Sequence, residues 1–194
     1  MQILPTLRRP GRRAGAALPT LRRPGRRAGA ALAAVLASAG MAGAAASHAD
    51  AAPYYETLRA QHSGLNLDVQ GASKQPYAPV IQWYANGGDN QKWSIPGDRQ
   101  TGPIVNKNSQ MCLTTDGISN HQLFQYPCYG GPLQRFSIAT ASTSPGGLLK
   151  VVTIQNPATG LAVDVSGHSQ WAGAGVNLWY PNANDNQTFY TGQY

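Results

Sequence analysis

Two aspartates stand inside apolar pairs, Asp68 between Leu67 and Val69, and Asp164 between Val163 and Val165. Fifteen positions after each comes a tryptophan, Trp83 and Trp179, and 22 positions after each begins an Asn-Gln pair, Asn90-Gln91 and Asn186-Gln187. A lone aspartate in a β-rich chain is ordinarily a turn residue, but a turn residue has no reason to recur with an aromatic and an amide at fixed spacing. An ionised carboxylate accepts hydrogen bonds from two hydroxyls, and such charge-assisted bonds exceed neutral ones. An aromatic ring supplies a flat apolar face for the C–H side of a pyranose. An amide both donates and accepts, as a hydroxyl does. Acid, ring and amide converging on one pocket therefore suit a neutral sugar.

Other chemistries find little support. The histidines are His48, His62, His121 and His168, and none forms a metal-ligand spacing or a nucleophile–base pattern. No metal or other cofactor is expected, and there is no glycine-rich phosphate loop. Two carboxylates can hydrolyse a glycoside, but Asp68 and Asp164 hold equivalent places in different repeats and should lie far apart.

Charge is misleading in this chain. The sequence has 15 Lys and Arg against eight Asp and Glu, but eight arginines lie between positions 8 and 27. From Asp50 onward there are seven cations and eight anions, a net of −1, so nucleic-acid binding is not expected. Within the leader, Leu4–Ala17 is repeated letter for letter as Leu18–Ala31. An uncharged Ala-rich run to Ser47 and small residues around Ala49 follow, as in a secretory signal peptide. The reading is a signal peptide over 1–49, no stable membrane span, and one exported domain over 50–194. Export permits a disulfide, and Cys112 is expected to pair with Cys128.

The elements that must position these residues are announced by a motif. Gln91-Lys92-Trp93, Gln134-Arg135-Phe136 and Gln187-Thr188-Phe189 recur at intervals of 43 and 53 residues. Such a period marks one structural unit used repeatedly, here over about 55–100, 101–147 and 148–194. The middle unit keeps the frame and changes its contents: Thr114, Tyr126 and Leu133 stand in for aspartate, tryptophan and asparagine. The cysteines occupy positions held by Asn66 and Ala85 in the first unit, so the bridge would staple two neighbouring strands of one repeat. Because Trp93, Phe136 and Phe189 persist where the polar set is lost, they are read as core, and the motif glutamines as backbone braces. Short apolar runs between Gly, Pro and Asn turns make the domain all-β, and three repeats of about four strands suggest a closed barrel with pseudo-threefold symmetry.

The Leu-Asp-Val-x-Gly segment, the Val-x-x-Trp segment and the closing Asn-Gln-x-Trp resemble the ricin B-chain type β-trefoil lectins and carbohydrate-binding modules. That resemblance spans about Tyr55 to Tyr194. It implies a β-trefoil with a shallow sugar site in each competent repeat. Sugar contacts would fall on Asp68, Trp83, Asn90 and Gln91 in the first repeat, and on Asp164, Asn177, Trp179, Asn186 and Gln187 in the third. Asn177 matches Ile81, which makes the third set the fuller one, and the second repeat is expected to be inactive. The implied protein is a secreted, monomeric, non-enzymatic binder of galactose- or xylan-type sugars. The rival reading is a trefoil for protein–protein contact or protease inhibition, with vestigial sugar sites.

Overall fold

The computed structural model describes residues 53–145 and 147–192. The expected signal peptide over 1–49 and its cleavage region lie outside the described residues. Strands of the first repeat are β1 (Glu56–Ala60), β2 (Asn66–Val69), β3 (Val80–Trp83) and β4 (Lys92–Ser94). The second contains β5 (Thr101–Gly102), β6 (Val105–Asn106), β7 (Cys112–Thr114), β8 (Phe124–Tyr126) and β9 (Phe136–Thr143). The third contains β10 (Lys150–Asn156), β11 (Leu161–Val165), β12 (Val176–Trp179) and β13 (Thr188–Gly192). No α-helix occurs among the described residues, in keeping with the absence of 3.6-residue periodicity.

Strand count departs from four per repeat at one place. The run Gly102-Pro103-Ile104-Val105 reads as one strand, yet it forms two short ones separated by Pro103 and Ile104. Proline has no N–H to give to a ladder, so pairing breaks there. β5 pairs with β9 and β6 pairs with β4, and the interrupted strand still links its two neighbours.

Pairing closes on itself. β1 pairs with β4, β4 with β6, β5 with β9, β9 with β10, β10 with β13 and β13 with β1. Closure leaves no barrel edge to recruit another chain. The remaining strands form three hairpins, β2–β3, β7–β8 and β11–β12. Isolated bridges between Pro79 and Phe124, Gln122 and Asn177, and Ile81 and Gly175 join each hairpin to the next, so the cap closes as a ring of three. This is the β-trefoil architecture.

The core is where the repeat motif placed it. Trp93, Phe136 and Phe189 are fully buried, packed among Leu58, Leu67, Leu113, Ile154 and Leu178. Trp93 also donates its indole N–H to the Leu67 carbonyl at 3.1 Å, satisfying the ring's single polar atom. A disulfide joins Cys112 and Cys128, with Cα atoms 5.1 Å apart, as the cysteine positions predict. It ties the start of β7 to the segment just after β8, inside the second repeat.

Candidate functional site

Each site begins with an aspartate that the strand period turns away from the core and toward the cleft, since its neighbours on either side point into the core. Asp68 on β2 and Asp164 on β11 are buried, 3% and 4% exposed. A buried carboxylate needs hydrogen-bond donors, and the motif amides supply them. Asn90 Nδ2 and Gln91 Nε2 donate to Asp68 Oδ2 at 2.9 and 2.8 Å. Asn186 Nδ2 and Gln187 Nε2 donate to Asp164 Oδ2 at 2.9 and 2.8 Å. The second hydrogen of each asparagine goes to backbone, to Val69 O and Val165 O. One aspartate oxygen is thus pinned by two amides in both repeats.

Short 3-10 turns at Asp89–Gln91 and Asp185–Gln187 carry these amides. The glutamines do more than hold the acid. Gln91 Nε2 also donates to Tyr84 O, and its Oε1 accepts from Asn66 Nδ2 and Asn86 N. Gln187 likewise bridges Asp164, Tyr180 O and Asn182 N. Gln134, in the repeat without an aspartate, makes the same set: Nε2 to Thr114 Oγ1 and Pro127 O, and Oε1 from Tyr129 N. The glutamine is therefore a brace common to all three units, and its hold on the carboxylate is that brace continued into the site.

Above each aspartate lies a shallow cleft. The first, about 400 Å³, is lined by Asp68, the turn Gln70-Gly71-Ala72, Ile81, Trp83, Asn86 and Asn90. The third, about 430 Å³, is lined by Asp164, Ser166, Gly167, His168, Asn177, Trp179, Asn182, Asn184, Asn186 and, from the second repeat, Asn120. Gly71 and Gly167 carry the chain under each cleft at φ of 65° and 62°, where a side chain is costly. Trp83 and Trp179 are partly exposed, 41% and 38%, each with a ring available at the cleft. Tyr84 and Tyr180 stand edge-on to them, with centroids 6.0 and 5.8 Å away, and do not line the clefts. Of each ring pair only the tryptophan lines the cleft.

Burial raises both carboxyl pKa values above the ordinary aspartate value of 3.8, partly offset by the amide hydrogen bonds. Asp164 is also eased downward by His62 and His168, whose rings lie 4.8 Å apart. His168 in turn bonds Asp185 at 2.6 Å.

All sequence-predicted residues of each repeat thus gather around one cleft, the glutamines from beneath. Asn177 faces Asp164 directly across the β11–β12 pair, as Ile81 faces Asp68 across β2–β3. With its nitrogen toward the acid, Asn177 donates to the Asp164 carbonyl at 2.9 Å and lies 3.3 Å from Oδ1. Four lining contributions escape sequence reasoning: the 70–72 and 166–168 turns, Asn86 with its counterpart Asn182, Asn184, and Asn120. The first two were legible as repeated positions. Asn120 belongs to a different repeat from the site it serves and no within-repeat alignment reveals it. The second repeat has only a smaller hollow, about 210 Å³, lined by Tyr77, Thr114, Thr115, Phe124, Tyr126 and Tyr129. Thr114 spends its hydroxyl proton on Cys112 O, so no charged acceptor faces that hollow.

Among the described residues no cluster of His, Cys, Asp and Glu could hold a metal ion, and no helix is long and apolar enough to cross a membrane.

Closed barrel, threefold cap and repeated acid–amide–ring clefts define a ricin-type lectin fold. A family model described as ricin-type β-trefoil lectin domain-like matches residues 46–120 and 89–179, and the chain belongs to that family. Among solved structures it is similar to the designed threefold-symmetric protein ThreeFoil, with 30% identity, a TM-score of 0.60, and coverage of 72% of this chain and 99% of that one. It is also similar to 1,3Gal43A, an exo-β-1,3-galactanase from Clostridium thermocellum, with 25% identity, a TM-score of 0.61, and coverage of 72% of this chain and 30% of that one. The hemolytic lectin CEL-III is a further likeness, with 25% identity, a TM-score of 0.59, and coverage of 73% of this chain and 33% of that one. The chain spans about a third of the length of these last two. Curated protein sequences give no match.

Proposed function

We propose that the protein is a secreted, non-enzymatic lectin that binds galactose- or xylan-type sugars at the first and third repeats. The observation that carries this reading is the duplicated clamp: a buried aspartate with one oxygen held by two amides, beneath a part-exposed tryptophan, present twice and dismantled once. In each site the acid is preorganised to accept sugar hydroxyls and the tryptophan to stack on the ring's C–H face. Membership in the ricin-type family supports sugar binding in general. Similarity to a module of a β-1,3-galactanase supports the galactose side of the choice. Single shallow sites bind weakly, and two on one rigid frame raise avidity for polymeric or clustered glycans. The protein acts as a monomer.

A glycan array comparing the protein with its Asp68→Asn/Asp164→Asn double variant tests this. Binding to galactosides or xylan that is lost in the folded double variant supports the reading. A folded wild-type protein that binds no glycan overturns it and favours a protein partner.

A further inference from the structure

Three residues at equivalent places in the three repeats reach across to a neighbour's site. Tyr77, Asn120 and Gly173 all have positive φ, 64°, 65° and 90°. Each donates its backbone N–H to the next hairpin's second strand: Tyr77 to Gln125 O at 2.8 Å, Asn120 to Leu178 O at 2.7 Å, Gly173 to Gln82 O at 2.8 Å. These acceptors each directly follow or precede a site residue, so the three crossing residues are delivered to three neighbouring sites by one geometry.

What each meets there is a second variable position, the residue opposite the aspartate in the hairpin. These are Ile81 opposite Asp68, Phe124 opposite Thr114, and Asn177 opposite Asp164. At the second and third sites the two positions match in character and touch. In the third, the Asn120 and Asn177 amides lie 3.0 Å apart. In the second, the Tyr77 and Phe124 rings have centroids 5.5 Å apart, with Tyr126 a further 4.9 Å from Tyr77. In the first, the crossing residue is Gly173, whose amide reaches Gln82, next to Ile81, and which adds no side chain at all.

We propose that this inter-repeat pair is the specificity wall of each site, and that it gives the first and third sites different sugar preferences. The third site's wall is two linked amides, which hydrogen-bond a ligand hydroxyl in addition to those taken by Asp164. The first site's wall is the Ile81 side chain alone, since the crossing residue is Gly173, and it accepts an apolar substituent at the same place and offers no polar partner. The second site's wall is a pair of packed rings that fill part of the space a sugar would use. The crossing residues are held firmly. Gln82 Nε2 donates to Ser169 O and Trp171 O, and Gln125 Nε2 to Ser73 O and Gln75 O, so each glutamine clamps the incoming loop. Leu178 cannot do this for the loop bearing Asn120, and an Asp116–His121 contact of 2.6 Å braces that loop from within.

This inference rests on the sugar-binding reading, and the test separates the two. Single-site proteins, Asp164→Asn to isolate the first site and Asp68→Asn to isolate the third, are titrated calorimetrically with galactose and with xylose, and then with the monodeoxy and mono-O-methyl derivatives of whichever binds. At one ring position the third site should lose about tenfold in affinity on deoxygenation or methylation, the worth of one hydrogen bond, while the first site is unchanged or improved. Replacing the third wall by the first, Asn120→Gly with Asn177→Ile, should remove that discrimination without lowering the melting temperature by more than a few degrees, since the fold already carries this pair at site one. Gly173→Asn in the first-site protein is the converse test. It has room, because a Cβ there meets nothing nearer than the Trp83 ring at 3.6 Å, and Asn tolerates positive φ. If both single-site proteins bind the series with the same profile, or the wall swap leaves the profile unchanged, the inference fails and sugar binding stands. If neither binds any sugar, the functional reading fails with it.

Discussion

In the proposed sites Asp68 and Asp164 each anchor two amides and accept sugar hydroxyls, and variants can separate the two roles. Asparagine keeps an oxygen for the two amide donors and loses the charge. Asp68→Asn or Asp164→Asn should therefore weaken its own site at least tenfold, since a charged hydrogen bond is worth about 1.5–3 kcal/mol, with little change in melting temperature. Alanine strands two buried amide donors and should also destabilise the fold by about 1–3 kcal/mol, measurable by urea unfolding. The pH response follows from burial, which raises both carboxyl pKa values above 3.8. As pH falls, binding should begin to fade above the ordinary aspartate range, because the protonated acid loses its charge. Stability has the opposite sign. A carboxyl whose folded pKa is raised contributes stability that is full below its unfolded value and is lost as pH rises through the folded value. Calorimetric titrations and thermal melts over the same pH series should thus diverge in the mildly acidic range. Aromatics divide as sharply. Trp93→Ala empties a fully buried position and should cost about 3–5 kcal/mol, whereas Trp83→Ala should leave stability nearly intact and abolish stacking at the first site.

At the scale of strands and turns, the glutamine brace and the disulfide set the hairpin geometry. Gln134→Ala should destabilise the protein without touching glycan affinity, because its repeat has no aspartate to position. Gln91→Ala should reduce both, since the same amide holds Tyr84 O and Asp68 Oδ2. Removing the bridge by Cys112→Ala/Cys128→Ala should cost about 3 kcal/mol for a loop of 16 residues, roughly 10 °C in melting temperature for a domain of this size. Much of this level was legible in the sequence. Side-chain alternation, turn residues and the constant 15- and 22-residue spacings mark the strands and place acid, ring and amide on one hairpin and its following turn. Two features were not. Pro103 splits a strand whose apolar pattern looks continuous. Asn120 reaches the third site only because the closed cap sets one repeat's loop on the next repeat's strand, a contact that spacing within a repeat does not encode.

Across the whole domain, pseudo-threefold closure turns one sequence unit into three clefts that share a core but differ in contents. The core aromatics Trp93, Phe136 and Phe189 are common property, so any repeat can lose its polar set without losing the barrel, and the second repeat has done so. The two proposed sites on a rigid frame predict avidity: a multivalent galactan or xylan should bind more tightly than its monosaccharide by one to several orders of magnitude, and that gain should vanish in either single Asp→Asn variant. Stoichiometry distinguishes two acid-dependent sugar sites from any other arrangement. Calorimetric titration with a small monovalent glycoside should give two sites per chain for the wild-type protein, one for Asp68→Asn, one for Asp164→Asn and none for the double variant. Retention of two sites when either aspartate is replaced, or a single site in the wild type that neither substitution removes, would contradict the account.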